Sequence, residues 1–455
     1  MFTYIKAKNF KSFKNIEFNL NRTKNNTNNF IAIYGENGSG KSNLVELFKF
    51  IQQVTISRLV DVTYNQLPKE FYELKDQVLN KVPEELKKLW TLSLNLEDYR
   101  TIDETDDSEI ECGFKINDKE GFYYIRFNSE IVEEKLYFFL NKQKGYYFQI
   151  VKDENEIVKI LNSNVFINEK YNIELEEIID KYWGKYSFLS LLLFESTDKN
   201  KEYVKNNISS KMSDVIEKFI MMTVQVNKWF SRMVPDIILN KRYLRDLKAG
   251  TVEKNKIKEI KKYENVLNIF FTQAYADIKN VKYIIEDLGE EIKYKLYFSK
   301  MIGGVLRDIP VDLESEGTRR IVDKFDTLIG AIMGETVIID EIDNGIHDLL
   351  MKNIILSIKD EITGQLIITT HNTLLLEILP KECIYILSVD YKGYKNINTI
   401  KEYGLKIQKN HNIRDLYFKG VFGGVPTTSY VDFEDIKYVL EDSDTNEDNS
   451  DGEEA

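Results

Sequence analysis

The chain has 455 residues, 43% of them hydrophobic, and a formal net charge of -12 at pH 7. That supports a large core and, by length, two to three domains; no apolar run approaches the ~20 residues that span a bilayer. The start, MFTYIKAKNFK, lacks the apolar core and cleavage site of a secretion signal, so a cytoplasmic protein without a membrane partner is expected.

Only Cys112 and Cys383 are present, which excludes a disulfide framework or a cysteine-rich zinc site. The last fifteen residues hold eight acids and no base, two thirds of the net charge (8 of 12). The body is therefore only mildly acidic, which argues against broad nucleic-acid binding. The basic stretch 254–262 reads as a solvated helix face.

In chain order, two short strands are expected over 3–7 and 15–20, then a polar turn, an apolar strand over 30–34 and a helix from Lys41 to about Gln53. Between 100 and 161, aromatic and β-branched runs (IECGFKI, GFYYIRF, KLYFFL, YYFQIV) alternate with turn residues, the pattern of an antiparallel meander. Helical spacing over 210–233 and 253–278, with Pro235 and Gly250 between, predicts a helical lid or arm. Strands then return, followed by a helix over 317–333, a strand over 336–339, a helix over 346–359 and a strand over 365–369. That alternation predicts a largely parallel α/β sheet. Residues 441–455 lack the apolar side chains needed to fold.

The segment GENGSGKS (35–42) lies between the apolar run IAIY and the amphipathic run NLVELFKFI, the strand-loop-helix setting of a P-loop. Its glycines let backbone N–H groups turn toward phosphates, Lys41 reaches the β and γ oxygens, and the Ser42 hydroxyl ligates magnesium. The helix start adds its positive end. The expected nucleotide contacts are Asn37, Gly38, Ser39, Gly40, Lys41, Ser42 and Asn43.

Downstream, the strand 336–339 ends in Asp340 and Glu341, the form of a Walker B strand. There Asp340 supports the magnesium ion while Glu341 orients and deprotonates the attacking water. His371 follows the run QLIITT, 31 positions beyond Asp340, placed to contact the γ-phosphate.

The order P-loop, ESEGTRR (314–320), VIIDEID (337–343), IITTH (367–371) resembles the ABC-type ATPase heads. The second element resembles a divergent signature with Ser315 and Gly317 at a helix start. In that class the signature caps the γ-phosphate held by the opposite subunit, which implies an ATP-sandwiched homodimer. NFKSFKNIEF is similar to the opening of RecF, SMC and OLD-type ATPases and would bring Lys11 toward a phosphate. SEGTRR, DEIDNGIH with His347, and NIRDLYFKGVFGGVP (412–426) are similar to the abortive-infection and OLD-like bacterial ATPases, including those of the PARIS and RloA-like phage-defence systems.

The resemblance implies an α/β ABC-type head with a mainly parallel core sheet, an antiparallel β subdomain and an inserted helical lid. The expected parts are an N-terminal lobe (1–60), an insertion (61–282, meander about 100–161, helical arm about 205–280), a C-terminal lobe (283–440) and a disordered acidic tail (441–455). It also implies ATP and Mg2+ as ligands, and a regulatory ATPase controlling a separately encoded toxic effector from an adjacent gene. A RecF- or SMC-like DNA-binding ATPase is the alternative, with DNA possible as a partner but not indicated by the charge. No glutamine is assigned to a coupling loop, Gln52 and Gln53 being expected on a helix surface. A nuclease domain of the Toprim type does not fit in the ~85 residues after His371, and no N-K-x-D motif for guanine is present. Gly423, Gly424 and Pro426 are expected as a tight turn closing the domain.

Overall fold

The computed structural model describes residues 1–23, 26–65, 94–140, 143–154, 156–198, 201–226, 229–230, 244, 246–403, 412–425 and 431–445. Pro235, Pro426 and residues 446–455 lie outside them. The chain divides into a unit of residues 1–424 and a second of residues 425–455.

The first unit begins with β1 (Phe2–Phe10), β2 (Phe13–Asn19), a small hairpin of β3 (Asn21–Thr23) and β4 (Asn26–Thr27), and β5 (Phe30–Tyr34). α1 (Lys41–Asn65) follows, longer by three turns than expected. The meander is present as β6 (Ser108–Ile116), β7 (Lys119–Phe127), β8 (Ile131–Phe139), β9 (Lys144–Asp153) and β10 (Glu156–Leu161). Four helices come next: α2 (Glu169–Tyr182), α3 (Phe188–Asp198), α4 (Lys201–Asn207) and α5 (Ser210–Ile220). β11 (Thr223–Val226), β12 (Trp229–Phe230), β13 (Ala249–Glu253), α6 (Ile257–Ala274), β14 (Ile278–Asp287), β15 (Glu291–Ile302) and β16 (Val305–Pro310) lead to α7 (Glu316–Ile332). The unit closes with β17 (Thr336–Ile339), α8 (Asp348–Ile358), β18 (Gln365–Thr369), β19 (Ile384–Val389), β20 (Lys395–Thr399) and α9 (Ile413–Phe418).

These strands form a mixed α/β architecture. The meander joins the N-terminal hairpin in one seven-stranded antiparallel sheet, β10-β9-β8-β7-β6-β1-β2. A second seven-stranded sheet has the order β12-β11-β17-β18-β5-β19-β20, parallel from β11 to β19 with an antiparallel strand at each edge. Strands β17, β18 and β5 are buried at every residue, as continuous apolar runs inside a covered parallel sheet must be. A third sheet of β13 to β16 carries α6 on its face, with Phe271 edge-on to Phe298 at 5.0 Å.

One apolar cluster runs through α1 from the antiparallel sheet to the parallel one, including Phe10, Phe48, Phe50, Phe127, Ile338 and Ile367. α1 is apolar nearly all round because it has no solvent face over its first half: Leu44, Leu47, Phe48, Phe50, Ile51 and Val54 are buried. Each such side chain contributes about 1.5–3 kcal/mol by leaving water.

The region expected as an insertion is interleaved with the core. The helix expected over 210–233 ends at Ile220, and Thr223–Val226 becomes a strand of the parallel sheet beside β17. TVQV is short and apolar, so helical spacing around it concealed a buried strand. Helix α6 packs on the third sheet. In the second unit α10 (Phe433–Thr445) runs through the first five residues of the stretch expected to be disordered, so 441–445 are helical. The alternation of Phe433, Ile436 and Leu440 with acids gives that segment the helical spacing that composition alone missed.

Candidate nucleotide site

The parallel strands deliver their carboxyl ends to one edge, where ligands bind in open α/β sheets. From β5 the chain turns through Gly35 and starts α1 at Lys41. Gly38 and Gly40 have φ of +79° and +108°, a backbone only glycine adopts without strain. The Lys41 ammonium is buried and donates to the carbonyls of Gly35 at 2.7 Å and Glu36 at 3.0 Å, folded into the loop it would leave to reach phosphate. Burial lowers its pKa, against the pull of Asp340, Glu341, Asp343 and Glu36. Asn37 and Gly38 stand exposed at the rim, Ser42 and Asn43 are partly exposed, and the buried Ser39 hydroxyl has no partner among the described residues.

Strand β18 separates β5 from β17 and supplies the oxygen that organises the acids. The Thr369 hydroxyl donates to Asp340 Oδ1 at 2.5 Å and accepts from the Glu341 N–H at 2.7 Å. Glu341 has φ +48°, a left-handed backbone costing a non-glycine residue about 1–3 kcal/mol unless its surroundings hold it. Here Thr369 holds its amide, and Asn344 Nδ2 donates to its Oε2 at 3.2 Å. The N–H of His371 donates to Asp343 Oδ2 at 3.1 Å, leaving buried Oδ1 of Asp343 without a partner among the described residues. Partial burial and then the Lys41 ammonium hold the His371 imidazole below its ordinary pKa, against Asp343, Glu341 and Asp340. Lys41 and His371 each feel the charges of Asp340, Glu341 and Asp343, and His371 also feels Lys41, which places these groups in one site.

Ser315 and Gly317 open α7, and Ser315 makes no hydrogen bond to those five groups among the described residues. Ser315 is the N-cap of α7, its Oγ accepting from the Thr318 N–H at 3.2 Å. A Cβ on Gly317 would lie 2.9 Å from the Gly345 carbonyl, so the first turn of α7 rests directly on the turn after β17. Arg320 bridges Glu316 at 2.6 Å and approaches the Asn344 carbonyl at 3.4 Å. None of the hydrogen bonds of Ser315 reaches the P-loop among the described residues. His347 caps α8, Nδ1 accepting from the Leu349 N–H at 3.2 Å.

Lys11 is ion-paired with Glu46 and lies over the Tyr99 ring at 5.1 Å. One expectation changes. Gln52 and Gln53 are buried, Gln52 Nε2 donating to the carbonyls of Ile220 and Met222 at 2.9 and 2.7 Å, while Gln53 accepts from the Tyr99 hydroxyl. α1 is enclosed by other elements, so its flank has no solvent face. Sequence reasoning missed Gln225, at the carboxyl end of β11 beside β17. Its carbonyl accepts the Asp340 N–H at 2.8 Å, and its buried Oε1 has no partner among the described residues. The only signal was a glutamine near the end of a short apolar run.

Gly423 and Gly424, with φ of +67° and +69°, form a turn whose Gly424 lies close to Ile386, Leu387 and Gly35. Tyr417 secures it, its hydroxyl donating to the Gly424 carbonyl at 3.0 Å and its ring meeting Tyr34 edge-on at 5.8 Å.

A glycine loop at a helix start, an acidic pair at the end of the parallel strand next but one, and a histidine at the end of the strand between them define a P-loop protein of the α/β class. The chain belongs to the family described as AAA domain, putative AbiEii toxin, Type IV TA system, whose model matches residues 30–377. No curated protein matches it. Among solved structures it is similar to an SmcHead bound to the C-winged helix domain of ScpA, at 13% identity over 90% of this chain and 98% of that one, TM-score 0.42. It is also similar to the Smc head domain with an extended coiled coil bound to the C-terminal domain of ScpA from Pyrococcus furiosus (14%, 88% and 97%, TM-score 0.39) and to the SMC head domain from Thermotoga maritima (14%, 88% and 98%, TM-score 0.37). The family assignment rests on the family model alone.

Proposed function

We propose that this chain is an ATP-hydrolysing regulatory ATPase of a bacterial anti-phage system, which assembles through ATP-sandwiched dimers and controls a separately encoded toxic effector. The observation that carries the ATPase part is the left-handed Glu341 held by Thr369 and Asn344 beside Asp340, on the strand edge that also bears the P-loop. The family's description, with its type IV toxin–antitoxin system, supports the regulatory part.

In this reading the P-loop amides and Lys41 hold the β and γ phosphates, Lys41 exchanging its two loop carbonyls for phosphate oxygens. Ser42 and Asp340 would hold Mg2+, which would supply neutralisation of the phosphate charge. That donor set fits: Thr369 fixes one oxygen of Asp340 at the strand edge that also bears the P-loop. Glu341 takes a proton from water as the water oxygen bonds to the γ-phosphorus, and the bond from that phosphorus to the leaving ADP oxygen breaks. His371 contacts the γ-phosphate as a hydrogen-bond donor.

Ser315 and Gly317 lie on an exposed helix start whose positive end suits an anion, and they serve the phosphate of a second copy. Gln225 and the Gly317–Gly345 contact tie that surface and the neighbouring strand to the chain's own acids.

The test uses Lys41→Ala and Glu341→Gln with light scattering and phosphate release. Lys41→Ala should lose nucleotide binding, whereas Glu341→Gln should bind ATP, stop hydrolysing and accumulate as a heavier species that needs ATP. Normal turnover by Glu341→Gln would remove the assigned base.

A further inference from the structure

Lys395 has no part in the chemistry above, yet it reaches the P-loop from the far edge of the parallel sheet. It opens β20, and its Nζ donates to Ser12 Oγ at 2.7 Å and lies 3.4 Å from the Gly38 carbonyl. A Cβ on Gly40 would come within 3.0 Å of that Nζ, so glycine there leaves room for the ammonium. Ser12 lies in the turn between β1 and β2, and its Oγ also accepts from Asn43 Nδ2 at 2.6 Å. Segments from the start, the P-loop and the end of the chain therefore meet at one hydroxyl.

The charge at this point is unbalanced. Lys11, one residue before Ser12, is neutralised by Glu46. Lys395 has no acidic partner among the described residues, and burial lowers its pKa with no neighbouring charge acting against it. A partly buried cation without a counter-charge is costly and is stabilised by an anion entering beside it. Its carbonyl neighbour belongs to the loop that wraps phosphate, and Asn43 directly follows Ser42.

We propose that Lys395, with Ser12 and Asn43, forms a second clamp on the polyphosphate of the bound nucleotide, in addition to Lys41. The proposal rests on the reading of the P-loop as a nucleoside triphosphate site. The clamp is a binding device rather than a catalytic one. It joins the C-terminal edge strand to nucleotide occupancy, so loading the site also braces β20 against the β1–β2 turn.

The experiment compares wild type, Lys395→Met and Lys395→Arg as full chains. Calorimetric titrations with MgATP, MgADP and adenosine are run at low and high salt, with ligand-free melting alongside. Lys395→Met should weaken ATP and ADP by about tenfold or more, the contribution of one charge-assisted hydrogen bond. Adenosine binding and ligand-free melting should be unchanged, the ATP deficit should shrink at high salt, and Lys395→Arg should recover most of the loss. Equal weakening of all three ligands, or a matching fall in ligand-free melting, would make Lys395 a structural strap and overturn the proposal. Unchanged ATP affinity in Lys395→Met would do the same. Failure of the wild type to bind ATP would instead overturn the P-loop reading, and this clamp with it.

Discussion

Replacing Thr369 with valine removes one oxygen from the site while leaving the side chain's shape intact. That oxygen makes two bonds, one to the Asp340 carboxylate at 2.5 Å and one from the Glu341 amide at 2.7 Å. Leaving a buried partner unsatisfied costs about 1–3 kcal/mol, more for a charged one. Asp340 is buried, while the Glu341 bond is only partly so, which places the total at about 2–4 kcal/mol. The loss falls on the residue with a left-handed backbone, so Glu341 is the first to relax. If only ~1.4 kcal/mol of it reaches the transition state, kcat falls tenfold.

Phosphate release under saturating ATP measures kcat, and titration of labelled ATP measures Kd. The expected result for Thr369→Val is a tenfold or larger fall in kcat with Kd within about threefold of wild type. Thr369→Ser keeps the hydroxyl and should stay close to wild type. A valine variant that hydrolyses like wild type would show that the hydroxyl does not orient the acids.

Ser315→Arg should bind ATP normally but fail to hydrolyse or assemble, because its bulk falls on the surface offered to a second copy; parallel loss of binding would argue against action in trans. Glu134 supplies a pH test away from the site. It is fully buried in β8 and accepts from Trp183 Nε1 at 2.9 Å, the Phe188 N–H at 2.6 Å, the Tyr123 hydroxyl at 3.0 Å and the Leu189 N–H at 3.3 Å. Burial outweighs those donors and pushes its pKa from 4.5 up to about 7. The folded chain then keeps a proton that the unfolded chain releases, so this contribution is full below pH 4.5 and is lost as pH rises through 7. Urea unfolding should show Glu134→Gln gaining on wild type by about 3 kcal/mol between pH 4.5 and 8, and parallel pH profiles would refute the assignment.

Local patterns in the sequence were sufficient for the elements that carry their own signals. GENGSGKS after IAIY placed the loop, and the strands Phe30–Tyr34, Thr336–Ile339 and Gln365–Thr369 have the expected limits, because a strand buried on both faces must be apolar along its whole length. Ser315 announced α7 by N-capping it. Residues whose role depends on a distant partner were not legible. Gln225 matters through β11 lying beside β17, Thr369 through a hydroxyl placed between two acids of another strand, and Lys395 through an edge strand meeting the turn at Ser12. The partner of Lys11 was not legible for the same reason, since its ion pair with Glu46 forms only once α1 lies against the N-terminal hairpin. Sequence by itself determined which strands and loops could form the site. The order of strands in the parallel sheet, set by packing across hundreds of residues, decided which side chains meet there.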